Sequence, residues 1–472
     1  MWKKEDDKIE LVDISEPACD CSGVPVGLTD QTMLERKQRV LEKMKERKLD
    51  TLVFYCDVEH GMNFEYLVGF FTRFEEALLV LHQDGSAFIV AGNENLNKVS
   101  KSRIPAKAVH APHFSLPNQP AGTRPFGELL KDTDIRPGSR VGVVGWKNFT
   151  GPETECSYLF DIPHFILAAL RVLVGDEQKV TNETDLMIGE EGVRRTNNAN
   201  ELAHYEFGAS LASDCMMQAM NLLKPGVSEM ELGDALVRHG QHTNVVTIAS
   251  SGARFVKGNM YPTEKRSSPG DQVSLTVGYK GGLSSRAGYA VYQENELPDA
   301  ARNYLEELVF PYYQSYCRWL EELAIGKTGG ELYALVQEIM PQEEFHWGLC
   351  PGHLTADEEW MCSPIYSGSK EWLKSGMLFQ IDIIPSKPGM GGVSAESTVA
   401  LADEFLRNEI QMTDPGLWDR IERRRSYLME VLNIRIGKEL LPMCGSVAYL
   451  RPFLYSRRMA LRRGGGCILP GE

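Results

Sequence analysis

The sequence lacks any apolar run near the roughly 20 residues that a membrane-spanning helix needs. Its first residues, MWKKEDDKIELVDISEP, are charged and contain no apolar core of a secretory signal. Basic residues are also in the minority, since 50 Lys and Arg stand against 65 Asp and Glu, for a net charge of −15. That charge disfavours binding to nucleic acid or to an anionic membrane. We therefore expect a cytoplasmic protein that binds neither nucleic acid nor membrane.

Closely spaced cysteines are scarce as well. The chain has ten cysteines among 472 residues, but only Cys19 and Cys21 form a close pair. No second C-x-C pair or histidine pair stands at a spacing that would complete a zinc knuckle. Without a signal sequence, we expect reduced thiols and not a disulfide framework. The hydrophobic content of 43% is ordinary for a globular chain, so the core needs no structural metal.

Hydrophobic patterning divides the chain into four predicted regions. Residues 1–30 lack periodicity and are predicted to be an N-terminal arm. Helical and strand patterns alternate over 31–185, which is typical of an α/β domain. Over 186–410 a helix, a Gly break and a second helix occur twice, each time before β-rich sequence, which indicates an internal duplication. Residues 411–472 are basic and helical, and we predict an extension with a solvated face or a contact with a partner subunit.

One stretch combines an imidazole and two carboxylates with strand-like sequence. His353 lies in the turn PGH, Asp382 stands within the apolar run MLFQIDII, and Glu396 precedes the run TVAL. A charge inside an apolar strand is costly to bury unless a partner compensates it. An imidazole and two carboxylates on neighbouring strands can bind a divalent metal or share a proton. From spacing alone, Asp382 is equally consistent with a residue that caps a loop at a strand end.

The order of several motifs resembles the superfamily of creatinase, prolidase, aminopeptidase P and methionine aminopeptidase, a peptidase M24-like group. The segments LKPGVSEMEL, SPGDQVSLTVG, PGH and SGMLFQIDIIP carry this resemblance over about residues 190–405. NFEYLVGF followed by FEEALLVL is similar to the N-terminal domain of creatinase and aminopeptidase P. The resemblance implies an α/β (α+β) chain, in which a creatinase-like N-terminal domain precedes a pita-bread C-terminal domain with an internal pseudo-twofold repeat.

The resemblance implies five metal-ligand positions, of which this sequence keeps three. Metallopeptidases of the superfamily hold two metal ions with two Asp, one His and two Glu. The two Asp positions are Thr276 and Ala287 here, and the remaining three are His353, Asp382 and Glu396. Two ions therefore cannot be held in the way of the family. We expect either no metal or a single divalent ion on the three remaining side chains.

Creatinase, in the same superfamily, implies that this fold also works without metal. It cleaves a C–N bond of a small guanidino acid with a His base and carboxylates. By that resemblance His353 is predicted to be the catalytic base, with Asp382 and Glu396 as catalytic partners that orient it or bind a cationic substrate group.

Four further residues are predicted to contact substrate. Arg286, beside a vacated ligand position, would repel a metal ion and could bind a substrate carboxylate in a bidentate manner. Asn259 stands at the position of creatinase's basic His, and Tyr261 is close to it. Arg73 belongs to a charged loop that most simply is solvated. In a creatinase-like homodimer, however, this loop of one subunit would reach the pocket of the other.

These features predict a hydrolase that acts on a C–N bond of a small polar amino-acid derivative or dipeptide. It would work without metal or with one ion. One alternative is an Xaa-Pro aminopeptidase or dipeptidase of the M24 metallopeptidase type, which the missing Asp pair disfavours. Another is a non-catalytic pita-bread binding protein, although a pure scaffold has no need of Asp382 and Glu396 in strands.

Overall fold

The computed structural model describes residues 8–115, 117–151, 155–258, 260–348 and 350–464. The chain divides into two compact units. The N-terminal unit is Leu28–Arg195, and the C-terminal unit combines Met1–Gly27 with Thr196–Glu472. In the described residues, no helix is long and apolar enough to cross a membrane.

The strands and helices follow one another along both units. The strands are β1 (Ile9–Asp13), β2 (Thr51–Cys56), β3 (Ala77–His82), β4 (Ala87–Ala91), β5 (Lys107–His110), β6 (Val141–Val144), β7 (Val180–Asn182), β8 (Ile248–Ser251), β9 (Gln272–Tyr279), β10 (Gly282–Tyr289), β11 (His353–Leu354), β12 (Leu378–Ile381), β13 (Ser386–Lys387), β14 (Gly391–Gly392), β15 (Ser394–Leu401), β16 (Leu440–Pro442) and β17 (Met459–Arg463). The helices are α1 (Asp30–Arg47), α2 (Met62–Val68), α3 (Phe126–Leu130), α4 (His164–Val174), α5 (Asp185–Ile188), α6 (Ala199–Leu222), α7 (Glu229–Leu236), α8 (Ala253–Val256), α9 (Phe310–Glu322), α10 (Gly329–Ile339), α11 (Gln342–Phe345), α12 (Glu404–Thr413) and α13 (Pro415–Ser426).

The N-terminal unit is built on a six-stranded mixed sheet in the order β5-β4-β3-β2-β6-β7. Strand β2 pairs antiparallel with β3 and parallel with β6, and its continuous apolar sequence TLVFYC is buried throughout. Helices α3 and α4 pack on one face of this sheet through buried leucines and isoleucine. Helix α1 begins at the N-cap Thr29, whose hydroxyl accepts a hydrogen bond from the Thr32 amide at 3.1 Å. The predicted α/β character of this region is confirmed.

The C-terminal unit is built on an antiparallel sheet in the order β11-β12-β15-β10-β9-β8, with β16 also paired to β15. Helices α6 and α7 pack on the β9 face that carries Val273, Leu275 and Val277. Gly208 lets α6 approach the turn between β9 and β10, because a Cβ there would lie 1.9 Å from the Lys280 carbonyl oxygen. Since side chains alternate along a strand, the residues with even numbers on β9 face away from these helices.

The predicted duplication is visible at the two helix breaks of the C-terminal unit. Gly226 and Gly326 both have left-handed backbone conformations, with φ of 85° and 83°. Two residues after each glycine, Ser228 and Thr328 begin the next helix with a complete capping box, in which the glutamate three residues on returns the hydrogen bond. The repeat therefore reproduces backbone conformation and capping chemistry 100 residues apart.

The two ends of the chain belong to the C-terminal unit and do not form the separate arm and extension expected from the sequence. Strand β1 pairs with β17 along its whole length, and β16 extends the main sheet. Arg424, on α13, bonds to both Asp20 and Glu206. The chain therefore divides into its two units after residues 27 and 195. The sequence indicated boundaries near these points, at 30 and 185. It also indicated a third boundary at 410, which the division into two units does not include.

Candidate active site

Three neighbouring strands bring together the imidazole and the two carboxylates predicted from the sequence. His353 on β11 pairs with Gln380 of β12, and β12 in turn pairs with β15. Asp382 directly follows the end of β12, and Glu396 lies on β15. All three side chains are buried. The His353 Nε2 atom lies 3.6 Å from Asp382 Oδ2.

A third carboxylate, that of Glu359, joins this group. Its Oε1 atom lies 3.2 Å from His353 Nε2, but the two atoms are not aligned as a hydrogen bond. The other ring nitrogen, Nδ1, lies 3.2 Å from the Leu354 carbonyl oxygen and therefore donates to it. Sequence analysis missed Glu359, and the only available signal was the acidic run DEE shortly after PGH.

Burial and neighbouring charges together raise the pKa values of His353, Asp382 and Glu396. Burial alone lowers the pKa of His353, but the carboxylates of Glu359 and Asp382 outweigh it and hold the pKa above its usual value. Burial raises the pKa of Asp382 to about 6, against the lowering effect of His353. Burial, followed by the charges of Asp382 and Glu359, raises the pKa of Glu396 well above its usual range. The cluster therefore retains protons near neutral pH and can exchange them among its members.

The two vacated Asp positions lie on the same face of the sheet as Glu396. Thr276 on β9 pairs with Ser285 on β10, and Ser285 pairs with Glu396. Ala287 follows two residues after Ser285 and so points to the same side. Thr276 donates a hydrogen bond to the Ser285 hydroxyl at 2.9 Å. A hydroxyl and a methyl group thus stand where the resemblance implies two charged ligands.

These residues do not fit the metal pair that the superfamily implies. In the described parts of the chain, no group of three or more His, Cys, Asp or Glu side chains is arranged to hold a metal ion. The imidazole nitrogen that a metal would need, His353 Nε2, is faced by two carboxylates at 3.2 and 3.6 Å. Without Asp at 276 and 287, only three of the five ligands that the resemblance implies are present.

Arg286 does not line the site, contrary to the expectation that it binds a substrate carboxylate. It pairs with Leu275 and so lies on the opposite face of the sheet, beneath α6. Its guanidinium is fully buried and donates five hydrogen bonds, to the Ser397 hydroxyl and to four carbonyl oxygens, those of Ser285, Glu396, Ser446 and Tyr449. All five N–H groups are satisfied in this way, so Arg286 is a structural residue.

The structure describes two of the three other predicted substrate contacts. Asn259 lies outside the described residues. Tyr261 has an exposed ring, and its carbonyl accepts a hydrogen bond from Arg254. Arg73 belongs to the N-terminal unit, where its backbone is held by the Asn95 side chain. The roles of Asn259, Tyr261 and Arg73 remain predictions.

Replacing Arg286 by methionine is expected to destabilise the protein by more than about 3 kcal/mol. Hydrogen bonds to a charged group contribute about 1.5–3 kcal/mol each, and methionine leaves five buried acceptors without this donor. Arg302→Met is the matched control, since Arg302 is largely exposed and pairs with the equally exposed Asp299. We expect less than about 0.5 kcal/mol there. Urea unfolding measures the free energy of unfolding of both variants. Equal losses of stability in the two variants would contradict the structural role of Arg286.

Comparisons with known proteins agree with the fold described above. Residues 204–403 match the model of metallopeptidase family M24. The fold is similar to the Xaa-Pro dipeptidase of Bacillus anthracis, with 19% identity over 79% of this chain and 96% of that chain and a TM-score of 0.59. It is also similar to the prolidase of Thermococcus sibiricus, with 17% identity, coverage of 80% and 96% and a TM-score of 0.61. For a variant of Escherichia coli aminopeptidase P the identity is 14%, the coverage is 79% and 93%, and the TM-score is 0.53.

A search of curated proteins gives no match. The family match and the shared fold confirm the predicted superfamily and the predicted fold class, and they agree with the prediction of a hydrolase. At identities below 20%, the structural likeness itself shows the fold and leaves the substrate open.

Proposed function

Because residues 204–403 match the model of metallopeptidase family M24, we propose that the C-terminal unit hydrolyses a C–N bond of a small polar amino-acid derivative or dipeptide without a metal pair. One observation supports this most directly. The buried His353 Nε2 lies near the carboxylates of Glu359 and Asp382, while the two Asp positions of the implied metal-ligand set are Thr276 and Ala287. An acid–base cluster is thus present where the metal-ligand set is incomplete.

The proposed reaction uses the cluster to move one proton. The Leu354 carbonyl fixes Nδ1 as the protonated nitrogen of neutral His353, so that Nε2 faces the carboxylates. The cluster of His353 and Asp382 takes a proton from water, and the water oxygen bonds to the carbon of the scissile C–N bond. That bond then breaks, and the same proton passes to the leaving nitrogen. The raised pKa of Asp382, about 6, places its proton exchange near neutral pH.

The charges of the site favour a substrate with a cationic group. Asp382, Glu396 and Glu359 contribute three carboxyl groups, and Arg286 lies on the other face of the sheet. A positively charged amino or guanidino group close to these carboxyls would be attracted, whereas a metal ion lacks its ligands. Amino-terminal dipeptides, amino-acid amides and guanidino acids all meet this requirement.

The first alternative is an Xaa-Pro peptidase with one divalent ion on His353, Asp382 and Glu396. Its support is that similar structures are an Xaa-Pro dipeptidase and a prolidase. A substrate screen with Xaa-Pro dipeptides, amino-acid amides and guanidino acids separates the two, run once with chelator and once with Mn²⁺. We expect turnover that chelator leaves unchanged. Turnover that depends on Mn²⁺ would favour the peptidase, and no turnover of any compound would favour a binding protein.

We also propose that the protein is a homodimer and that the Arg73–Glu76 loop of one subunit faces the pocket of the other. In support, Phe74 in this loop is 72% exposed and has a left-handed backbone with φ of 71°, which is strained for a bulky residue. Light scattering should give a dimer, which Phe74→Ala weakens. Val172→Ala, at a valine that is 82% exposed on α4, should leave the dimer intact. A stable, fully active monomer would remove the proposal.

A further inference from the structure

Glu229, the first residue of α7, is a buried carboxylate that accepts five hydrogen bonds. Its two oxygens accept from the amide and the hydroxyl of Ser251, from the amide and the hydroxyl of Thr263, and from Arg254 Nε, at 2.8–3.1 Å. A buried charge is costly unless hydrogen bonds of this kind compensate it. All the donors belong to one short stretch of the chain, so the carboxylate fixes that stretch.

We propose that Glu229 is a positioning residue that closes the α8 segment and thereby holds one wall of the candidate site. The α8 segment comprises residues 252–262, of which the structure describes all but 259. Ser251 precedes it and Thr263 follows it, so one carboxylate joins both of its ends. The inference rests on the proposed function, since a wall matters only if the site binds a substrate.

Strand β8, which leads into the α8 segment, shares the face of the sheet that carries Glu396. Ile248 of β8 pairs with Thr276. Thr276 pairs with Ser285, and Ser285 pairs with Glu396. Residues directly opposite one another on paired strands point to the same side of a sheet. Because β11 and β8 stand at opposite ends of the strand order, the α8 segment begins at the edge far from His353.

The internal repeat gives the two edge strands the same kind of return segment. After β11 the chain turns back, and the amide of Leu354 donates to the Cys362 carbonyl at 2.7 Å. After β8 it also turns back, and the amide of Ala249 donates to the Met260 carbonyl at 3.3 Å. The return segment of β11 carries Glu359 into the candidate site. By the same topology, the α8 segment borders the site at the opposite edge of the sheet.

The helices of both halves pack on the other face of the sheet. Helices α6 and α7 cover the odd-numbered residues of β9. In the second half, the Trp319 ring of α9 packs edge-on against Phe379 of β12, with ring centroids 6.2 Å apart. Phe379 pairs with Val399, which points away from the side of β15 that carries Glu396. It is therefore the two return segments that border the candidate site.

The hydrogen bonds of Glu229 matter because the α8 segment gains little from packing. Tyr261 is 69% exposed and Met260 is 41% exposed, so these two side chains bury little apolar surface. A segment with few buried apolar contacts opens easily. In the second half, Gly329 stands at the position that corresponds to Glu229, directly after the N-cap. The repeated fold thus forms without this carboxylate, which indicates a role specific to the α8 segment.

Amide hydrogen exchange of the full chain tests whether Glu229 closes the segment. Glu229→Gln keeps the size of the side chain but replaces one acceptor oxygen by an N–H donor. We expect exchange within 252–262 to become at least about tenfold faster, the effect of losing one hydrogen bond to a charged group, and exchange in β12 to stay unchanged. The matched control is Glu231→Gln in the same helical turn, an exposed carboxylate that bonds to Ser228. It should leave the α8 segment unchanged.

Kinetics with the substrate found in the screen tests the role of the wall. The proton-transfer groups His353 and Asp382 lie towards the other edge of the sheet. We therefore expect Glu229→Gln to raise KM about tenfold and to change kcat by less than about threefold. A merely structural role would instead reduce the amount of active protein, which lowers apparent kcat and leaves KM unchanged.

Each outcome either supports or overturns the inference. Unchanged exchange in the α8 segment, equal acceleration in Glu231→Gln, or acceleration throughout the C-terminal unit would overturn it. A KM that stays unchanged would overturn it too, whatever happens to kcat. If the screen finds no turnover, the proposed function fails, while the exchange experiment still decides whether Glu229 holds the segment.

Discussion

Replacing Thr276 and Ala287 together by aspartate is expected to give the protein two binding sites for divalent metal ions, whereas we expect the natural chain to bind at most one. Thr276 lies in register with Ser285 and Glu396, and Ala287 lies in the adjacent row on the same face. The two new carboxylates would join His353, Asp382 and Glu396 on one side of the sheet. They would supply the bridging oxygen ligands that the natural sequence lacks.

The expected gain in affinity is large. Loss of a single outer-shell partner typically weakens metal binding about 10- to 100-fold, so two added direct ligands should strengthen Mn²⁺ binding by at least about 100-fold. Without metal, the same variant should be less stable than the natural protein, because it packs five carboxyl groups around one imidazole. Added Mn²⁺ should then raise its melting temperature, since an ion that binds only the folded state stabilises it.

Titration calorimetry and elemental analysis measure the outcome. The control is the pair Thr276→Asn and Ala287→Asn, which has nearly the same size without the charge and should bind no additional ion. Two tightly held ions in the natural protein would show that 276 and 287 are not the lost ligand positions. An aspartate pair that gains no ion would show that the geometry of this face of the sheet excludes a metal for another reason.

Local sequence patterns predicted much of the fold because the decisive features are local. Gly226 and Gly326 need left-handed conformations, and Ser228 and Thr328 need a glutamate three residues on, so both helix breaks are visible in the sequence. The pairing of β1 with β17 joins residues about 450 positions apart, such as Ile9 and Arg463. No local pattern encodes that pairing, and the ends therefore appeared separate.

The same distinction applies to the candidate site, where local sequence motifs indicate some of the residues and not others. His353, Asp382 and Glu396 could be found from the motifs that surround them. Glu359 lies outside the helices and strands, so no hydrophobic periodicity indicates where its side chain points. The prediction that Arg286 binds a substrate carboxylate was wrong for a different reason. Side chains alternate along a strand, so Arg286 must point away from the face that Ala287 shares with Glu396. The sequence contained that information once residues 286 and 287 were placed in one strand.

Replacing His353 by alanine is expected to lower turnover of the substrate found in the screen by about 10²- to 10⁴-fold, the usual contribution of a general acid–base group. His353 is the only imidazole in the cluster, and it is in ion-pair contact with Glu359 and Asp382. The fold should persist, because β11 is a two-residue edge strand that pairs with β12 through its backbone. Steady-state kinetics together with thermal unfolding separates lost catalysis from lost structure.

Asp382→Asn is expected to lower turnover as well, but to raise stability at neutral pH. The folded protein holds the Asp382 proton with a pKa of about 6, whereas the usual value is 3.8. Between these two pH values the folded state binds more protons than the unfolded state, so stability falls as pH rises through that window. At pH 7 the ionised carboxylate is thus unfavourable by up to about 3 kcal/mol, which asparagine removes. At pH 4 the same substitution should change stability little.

The double variant His353→Ala and Asp382→Asn decides whether the two side chains act as one unit. In the natural protein His353 lowers the pKa of Asp382, while burial raises it. Loss of His353 therefore leaves Asp382 protonated to a higher pH, and the second substitution then removes little more. The two effects on turnover should be clearly less than additive on a logarithmic scale, as for residues in direct contact. Small and additive effects, with turnover unchanged in either single variant, would show that these side chains only support the fold and that the proposed site is mistaken.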